Sequence, residues 1–487
     1  MKSENKNKLI FQLPIVLIYA LLTVVCINHC YFWDNIQQIS KEAHWFYLTD
    51  FHSFLMPTQY SGSEIVATGY HPPLMGIMTA ILWKIFGCKL WVSHVFIFLW
   101  ALVLIYNTWR IVNSLFGVKF AGWVFLITML EPTLLAQFSI SSPDFILFTA
   151  FIISLRAVLE KKPWLLAVGV FFLCCINMRG IFAGVILFIV HFYYTYLQVR
   201  KKLHIRSIIK IVLPYIPTFA VLVGYFTCYF ITNGWFFQNS SDNVYYSLPN
   251  GINRIIRHLL EFGLRTVENG RFVVWIIGIY AGYAVLKTKT KLNAENKTIL
   301  LFFLLLTGLY FLFVFISQMP FSGRYFMPQF FLLTLLSLLG INKFLSEKNK
   351  KIALVVILCF ELSGHLWIYP EKIAKSWDCT LAHLPYYELR KECFYYIDQQ
   401  RLDYKHVSGG FCLYGNRCFA ELQHGGKIVG TDTNCEYFIL SNISNVEDSF
   451  FDDLKIKTHW IPIKTFKDGM IYITIYKNIL YKRTLKS

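Results

Sequence analysis

The sequence is dominated by a series of apolar blocks, about 17 to 24 residues long, that are separated by short stretches rich in lysine and arginine. A helix of about 20 apolar residues is long enough to cross a hydrocarbon core of about 30 Å. Hydrophobic residues make up 56% of the chain and charged residues only 15%, whereas about a quarter of a soluble globular protein is charged. We therefore predict a polytopic α-helical membrane protein.

About eleven transmembrane helices are predicted. The first block, about 9–32, follows the lysine-bearing start MKSENKNK, exceeds the apolar core of a signal peptide and lacks a small-residue cleavage site. We interpret it as a signal anchor. The other spans are predicted at about 91–110, 120–138, 143–159, 163–178, 180–198, 208–232, 272–288, 298–317, 324–342 and 352–369.

The apolar segment His71–Phe86 has only about 15 residues, a length typical of an interfacial helix. If it does not span, all strongly basic loops fall on the side of the basic N-terminus, as the positive-inside rule requires. These loops carry Arg110 with Lys119, Arg156 with Lys161 and Lys162, and the runs Arg200–Lys210, Lys287–Lys297 and Lys343–Lys351. We predict a cytoplasmic N-terminus and an outer surface helix in the first outer loop, 33–90.

The formal net charge of +18 is accounted for by these loops, where lysine and arginine set the orientation in the membrane. Membrane lipids are therefore expected partners, and no nucleic acid is expected. The frequent Lys, Asn and Ile residues suggest a bacterial source, which would place the chain in the inner (plasma) membrane.

The region 370–487 follows the transmembrane domain, 1–369, and is predicted to lie outside the cytoplasm. Its short runs KIVGTD, CEYFILS and MIYITIY, flanked by Gly, Asn and Asp, indicate strands and turns of a small α/β domain. Five cysteines lie here, in a compartment where disulfides persist, and Cys412 with Cys418 is the expected bridge. The five are Cys379, Cys393, Cys412, Cys418 and Cys435.

Asp34 is the first candidate for chemistry, because it directly follows the first span. At the water boundary a carboxylate can act on membrane-bound and soluble reactants, which suits a general base. The alternative is an ordinary loop carboxylate, like Glu42, Asp50 and Glu64 of the same loop.

Two further carboxylates lie within or at the start of apolar blocks. Asp144 opens a span after Pro143, where the helix dipole favours a negative charge, and capping alone would also explain it. Glu131, followed by Pro132, lies inside a block, where an ionisable group is costly and therefore a functional candidate. It could equally lie close to the outer end of its helix.

Three basic side chains are predicted at the outer ends of helices. Arg179 and Arg324 are placed where they could converge on a phosphate, whose oxygens the guanidinium group binds in pairs. Each could instead be an interface anchor. His71, followed by Pro72 and Pro73, opens the surface helix, and paired prolines are also typical of a plain helix start.

Taken in order, these features resemble the GT-C glycosyltransferases, in particular the group containing protein O-mannosyltransferases and aminoarabinose lipid A transferases. The resemblance covers about 9–345 and excludes the C-terminal region. Matching positions are Asp34, the HPPL segment from His71 to Leu74 with Phe86 and Gly87, Asp144, Arg179 with Gly180, and Arg324, Tyr325 and Pro328. Two differ from the family: Asn35 replaces a second carboxylate, and Arg179 replaces the lysine of the lipid A transferase.

The resemblance implies a glycosyltransferase that moves a monosaccharide from a polyprenyl-phosphate donor to a glycan, lipid or protein acceptor at the outer face, with inversion. It implies that Asp34 is the base and that Arg179 and Arg324 stabilise the leaving phosphate. Because arginine can supply this charge, no metal or cofactor is expected. The alternatives are a transporter or flippase of lipid-linked glycans, and a structural assembly protein.

Overall fold

The structure is a computed structural model that describes residues 2–57, 65, 71–199, 204–234, 248–249, 251–318, 320–370, 376–422, 425–443, 446, 448–456 and 458–482. Residues 200–203 of the predicted basic loop, and Glu64, lie outside this part of the chain. The α-helices that follow one another up to residue 364 are α1 (Lys2–Cys26), α2 (Glu42–Leu48), α3 (Leu74–Phe86), α4 (Leu90–Phe116), α5 (Val118–Met129), α6 (Pro132–Ser139), α7 (Pro143–Leu159), α8 (Pro163–Ile176), α9 (Met178–Gln198), α10 (Ile205–Val212), α11 (Ile216–Asn233), α12 (Ile252–Val267), α13 (Phe272–Lys287), α14 (Ala294–Ile316), α15 (Met327–Phe344) and α16 (Glu347–Gly364).

A helix occupies each of the predicted spans, and the chain is an integral membrane protein. Five described helical segments are long and apolar enough to cross a membrane, or up to seven when each of two bent pairs is one span. The rest of the predicted spans coincide with α1, α7, α8 and α16, which are shorter or begin with charged residues. The number eleven therefore stays a prediction.

The predicted span 120–138 is not one straight helix. It consists of α5 and α6, which meet at an angle of 51°. Glu131 has an extended backbone (φ −60°, ψ 131°) and Pro132 follows it as the first residue of α6. Proline lacks an N–H and disfavours a helical conformation in the residue before it, so the helix breaks here.

The segment predicted to be a surface helix forms α3, which has 13 residues and is followed by Gly87 with a φ of 86°. Its position at the membrane surface stays a prediction. It packs against α2 and against the π-helical turn Ile36–Lys41 of the same loop. The described parts of the loop that follows the first helix thus pack together and support the segment around Asp34.

The C-terminal region forms the predicted α/β structure. Its strands are β1 (Val407–Gly409), β2 (Gly415–Asn416), β3 (Ile428–Val429), β4 (Tyr437–Ser441), β5 (Trp460–Asp468) and β6 (Ile471–Asn478), and its helices are α17 (Tyr386–Gln399), α18 (Arg417–Glu421) and α19 (Asp448–Ile456). Four strands form a mixed sheet in the order β1-β4-β6-β5, with β1 parallel to β4 and the other pairs antiparallel. The strands β3, β4 and β6 fall on the three runs that predicted them.

The core of this region is continuous with the segment that follows α1. Phe32 and Trp33, which follow α1, are buried in the same apolar cluster as Tyr386 and Ile439. The ring of Phe32 stacks on His383 with centroids 5.1 Å apart. The C-terminal region therefore lies directly on the loop that carries Asp34.

The predicted disulfide between Cys412 and Cys418 is wrong, because the two residues belong to different cores. Cys412 is buried with the C-terminal cluster, in a turn with a φ of 55°. Cys418 is in α18, which packs against the main cluster of the helical domain. Among the twelve cysteines, all described, no disulfide bond is formed.

Candidate active site

Asp34 lies in a tight turn between α1 and the π-helical turn Ile36–Lys41. Trp33 adopts a φ of 49°, and the N–H of Asn35 donates to the carbonyl of Phe32 at 3.0 Å. The buried side chain of Asn35 donates to the carbonyl of Ile140 at 2.8 Å. At the position where the GT-C resemblance leads us to expect a second carboxylate, this chain therefore has an amide that fixes the turn.

Asp144 and Arg179 are brought together by the starts of α7 and α9. Ser142 caps α7 by accepting the N–H of Asp144 at 3.0 Å, and Nη2 of Arg179 donates to Oδ1 of Asp144 at 2.7 Å. A Cβ at Gly180 would collide with the carbonyl oxygen of Leu173 in α8. Glycine at this position therefore lets α8 and α9 approach closely enough to hold Arg179 beside Asp144.

Arg324 is at the centre of the site. It lies in the 3₁₀ turn Gly323–Phe326 that leads into α15, and its side chain is buried. Its Nη2 contacts Oδ2 of Asp34, its Nη1 is 2.9 Å from Oδ2 of Asp378, and its Nε is 3.4 Å from Oδ2 of Asp144. One guanidinium group thus connects carboxylates from three separate parts of the chain.

Tyr325 supports both arginines from one side. Its ring centroid is 4.0 Å from the guanidinium carbon of Arg179 and 5.4 Å from that of Arg324. A cation over an aromatic face is stabilised by the ring quadrupole. The Arg-Tyr pair of the sequence therefore places the two guanidinium groups on a common platform.

His71 lies next to this cluster, in the segment before α3. The backbone N–H of Met178 donates to its Nδ1 at 3.2 Å, so the proton of the neutral ring is on Nε2. Burial and then the charge of Arg179 lower the pKa of His71 from 6.5 to about 4. His71 is therefore a neutral side chain at physiological pH.

Asp378 is the member of the cluster that the sequence did not suggest. It belongs to the 3₁₀ turn Trp377–Cys379 at the start of the C-terminal region, where no resemblance to a known family was found. Nε2 of Gln137 donates to its carbonyl at 2.7 Å and to its Oδ2 at 3.3 Å. Nothing in the sequence around Asp378 indicates that it pairs with Arg324, which lies 54 positions earlier in the chain.

Glu131 is a candidate that the structure does not bring into the cluster. Its Oε2 accepts the N–H of Leu134 at 2.7 Å and so caps α6. Its Oε1 accepts from Nε of Arg271 at 2.7 Å. Capping of α6 and the ion pair with Arg271 therefore account for the buried carboxylate of Glu131.

The cluster combines a partly exposed carboxylate with a buried guanidinium nitrogen that has no hydrogen-bond acceptor. The side chain of Asp34 is 33% exposed, against 4% for Asp144 and 1% for Asp378. Nη1 of Arg179 is buried and donates to no atom of the described protein. Since an unsatisfied buried donor is costly, this N–H group fits an anion.

No group of three or more His, Cys, Asp or Glu residues within the described ranges is arranged to hold a metal ion. The prediction that transfer needs no metal is not tested by this observation and stays a prediction.

No protein-family model matches the chain, and no curated protein matches it by sequence. Two crystal structures of ArnT from Cupriavidus metallidurans, one bound to undecaprenyl phosphate and one in the apo state, match with a TM-score of 0.54. Each is 11% identical over 95% of this chain and 97% of that chain. The oligosaccharyltransferase of Archaeoglobus fulgidus in complex with zinc and sulfate matches 80% of this chain and 56% of that chain, at 11% identity and a TM-score of 0.42, which is too low to claim a shared fold.

The protein is therefore a membrane protein with the fold of ArnT, a GT-C protein. The likeness extends over nearly the whole of both chains, including the C-terminal region for which the sequence suggested no relative. At 11% identity this likeness shows a shared fold and nothing more. The predicted resemblance to GT-C proteins is therefore confirmed for the fold.

Proposed function

We propose that the protein is a glycosyltransferase that moves a monosaccharide from a polyprenyl-phosphate donor to an acceptor at the outer face of the membrane. The observation that carries this proposal is the convergence of Asp34, Arg324 and Arg179, which the resemblance to GT-C enzymes assigned to the base and to the phosphate. The fold of ArnT, which has been crystallised with undecaprenyl phosphate, supports a polyprenyl-phosphate lipid as the partner.

In this proposal Asp34 removes the proton from a hydroxyl group of the acceptor. The hydroxyl oxygen attacks the anomeric carbon of the donor, and the bond between that carbon and the phosphate oxygen breaks. The polyprenyl phosphate leaves with the electron pair, and the configuration at the anomeric carbon is inverted. Asp34 suits the role because it is the most accessible of the three carboxylates and is held in a rigid turn.

The charge of the cluster also supports this assignment. Asp144 and Asp378 balance the two arginines, Arg179 and Arg324, so that Asp34 is the carboxylate in excess. In this proposal Asp34 is the base, and Asp144 and Asp378 are the counter-charges of the two arginines.

The phosphate is assigned to Arg179 together with Arg324. Nη1 of Arg179 has bonding capacity left, and the platform of Tyr325 fixes its direction. Charge-assisted hydrogen bonds to the departing phosphate would stabilise the charge that develops in the transition state. His71, with its proton on Nε2, is a further neutral donor beside the two arginines.

The wider arrangement is part of the same proposal. The N-terminus is cytoplasmic, the site and the region 370–487 are outside, the eleven helices of 1–369 span a bacterial inner membrane, and the acceptor is a glycan, a lipid or a protein. The basic loops around Arg156 and Lys287 support this orientation. Labelling of single cysteines introduced at Lys289 and at Asp468 from opposite sides of the membrane would test it, in a background whose exposed native cysteines are replaced.

A transporter or flippase of lipid-linked glycans is the second candidate, and one observation favours it. Two broken helices, α5 with α6 and α12 with α13, meet where Glu131 pairs with Arg271. Broken helices are typical of transporters, whose ligands bind at the breaks. Here, however, Nε, Nη1 and Nη2 of Arg271 each donate to a protein atom, so that no nitrogen of Arg271 is without an acceptor at this break.

The experiment that tests the proposal compares cells with and without the protein by mass spectrometry of their surface glycans. We expect one added sugar residue on the acceptor when the protein is present, and no added residue when it carries Asp34→Asn. A flippase would move its lipid-linked glycan without a base, so normal glycans in the Asp34→Asn strain would contradict the enzyme and favour the transporter.

A further inference from the structure

Arg324 has an unusual excess of partners for a residue assigned to a phosphate. Three carboxylates surround it, and the one from the C-terminal region, Asp378, is the most deeply buried of them. A phosphate that approaches Arg324 therefore meets a cation whose charge is already offset. Asp144 is itself paired with Arg179, so Asp378 is the buried carboxylate that has Arg324 as its cation.

Asp378 is held in place by contacts on three sides. Gln137 of α6 donates to its carbonyl and to its carboxylate, at 2.7 and 3.3 Å. Its neighbour Trp377 donates from Nε1 to the carbonyl of Asn442, directly after β4, at 3.1 Å. Asn442 in turn binds the hairpin between β5 and β6, through the carbonyl of Met470 at 2.8 Å. The position of Asp378 is thus fixed by the C-terminal sheet.

The segment Ser376–Cys379 also packs against the turn that carries Arg324. The hydroxyl groups of Ser376 and Ser322 are 3.1 Å apart, and the N–H of Gly323 lies 3.4 Å from the hydroxyl of Ser376. Asn269 donates to the carbonyl of Cys379 at 3.2 Å. Asp378 and Arg324 therefore form one rigid unit, made by the C-terminal region and the start of α15.

We infer that Asp378 is a positioning residue that the C-terminal region supplies as a fixed counter-charge to Arg324, and that it limits the affinity of the site for the lipid phosphate. This inference rests on the proposed function. The Asp378–Arg324 pair leaves Arg324 in place between Asp34 and Asp144 but reduces the positive potential at the phosphate. Without a counter-charge, Arg179 and Arg324 would bind the departing polyprenyl phosphate tightly and release it slowly. The negative charge of Asp378 therefore favours release of the product and so the next round of transfer.

The test is the affinity of the full-length protein for undecaprenyl phosphate, with the protein in nanodiscs of zwitterionic lipid. Tryptophan fluorescence provides a signal, because Trp33 directly precedes Asp34. We expect Asp378→Asn to bind undecaprenyl phosphate about tenfold more tightly than the wild type, because one negative charge is lost near the site. Asp378→Glu keeps the charge and should stay within about twofold of the wild type.

The Asn variant should fold, since Arg324 keeps Asp34 and Asp144 as partners and no unpaired charge is left buried. An asparagine oxygen can also still accept from Gln137. Thermal unfolding checks this point, and Asp468→Asn, an exposed carboxylate at the end of β5, is the matched control.

A purely structural role for Asp378 makes the opposite prediction, namely that Asn and Glu variants both bind more weakly and unfold at lower temperature. That result would overturn the inference, as would equal affinities of the wild type and Asp378→Asn. If the wild type does not bind undecaprenyl phosphate at all, the proposed function fails together with the inference. The two failures are therefore distinguishable.

Discussion

Two buried arginine clusters lie at ends and breaks of the helices, and they differ in whether buried guanidinium nitrogens are left without a hydrogen-bond acceptor. In the cluster around Arg324, Asp34 is partly exposed and Nη1 of Arg179 donates to no described atom. In the cluster around Arg271, Nε donates to Glu131, Nη1 to the carbonyl of Glu268 at 3.1 Å, and Nη2 to Thr133. We call the first the open cluster and the second the closed cluster.

The closed cluster also fills the space around its cation. The guanidinium carbon of Arg271 lies 4.0 Å from the centroid of Phe330, and a neighbouring Arg265 is bound to the carbonyl of Phe321 at 2.9 Å and to Glu268 at 3.0 Å. These bonds join α6, α12, α13 and the segment before α15. The comparison shows that a buried charge near a membrane is not by itself a site, since the closed cluster holds helix breaks together and the open one has capacity for a ligand.

The largest effect is expected at the base of the open cluster. Asp34→Asn should reduce sugar transfer by about 10²- to 10⁴-fold, because asparagine is nearly isosteric but cannot accept a proton. The readout is the sugar added to the acceptor, measured by mass spectrometry, together with thermal unfolding to show that the variant is folded. Asp50→Asn, an exposed carboxylate of the same loop that pairs with Lys84, is the control and should transfer normally.

If Asp34→Asn and Asp50→Asn transfer equally well, Asp34 is an ordinary loop carboxylate. The open cluster would then lose its base, and Glu42 would be the next carboxylate of the loop to test.

The second prediction concerns the closed cluster. Arg271→Met should destabilise the protein by about 3 to 5 kcal/mol, because it leaves Glu131 buried without its partner. The measurement is thermal or denaturant unfolding in detergent, with binding of undecaprenyl phosphate as a second readout. Adding Glu131→Gln in the same chain should restore part of the stability, since it removes the unpaired charge.

A stable Arg271→Met protein that has lost binding of undecaprenyl phosphate would break the comparison. The closed cluster would then be part of the binding site, and the broken helices would favour the transporter.

The third prediction concerns the donor with spare capacity in the open cluster. Arg179→Gln should weaken binding of undecaprenyl phosphate by roughly 10- to 100-fold, because one or two charge-assisted hydrogen bonds, each worth about 1.5 to 3 kcal/mol, are lost. Arg110→Gln, at the exposed end of α4, is the matched control and should bind normally. Unchanged affinity of Arg179→Gln would show that Arg179 is only an anchor for Asp144.

The smallest effect is expected for His71 and appears as a dependence of stability on pH. Burial lowers the pKa of His71 to about 4, so between pH 6.5 and 4 the unfolded state binds a proton that the folded state does not. This group therefore stabilises the protein above pH 6.5, and the contribution is lost as the pH falls towards 4. Unfolding of His71→Gln should depend less on pH in this window, by roughly 1 kcal/mol or more.

Wild-type protein and His71→Gln with parallel stability curves between pH 6.5 and 4 would contradict this account. In that case His71 would not be kept neutral by its burial in the open cluster.

The order of motifs along the sequence identified most of the open cluster, because Asp34, Asp144, Arg179 and Arg324 each follow or open an apolar block. Asp34, Asp144, Arg179 and Arg324 all lie at helix ends, and apolar blocks report helix ends directly. The sequence assigned both arginines to the phosphate with equal weight, whereas the structure gives Arg324 three carboxylate partners. Among the described residues, Nη1 of Arg179 and Nε of Arg324 are buried without a hydrogen-bond acceptor.

The sequence by itself determined the helical membrane class, the strands of the C-terminal region and the candidates for the base and the phosphate, because hydrophobic pattern and helix ends are local properties. Only the tertiary structure decided that Asp34 meets Arg324, 290 positions away, that Asp378 joins them, and that Glu131 is paired elsewhere. Such pairings depend on which helix ends and loops pack together. The sequence around a single charged residue does not indicate which distant residue will become its partner in the folded protein.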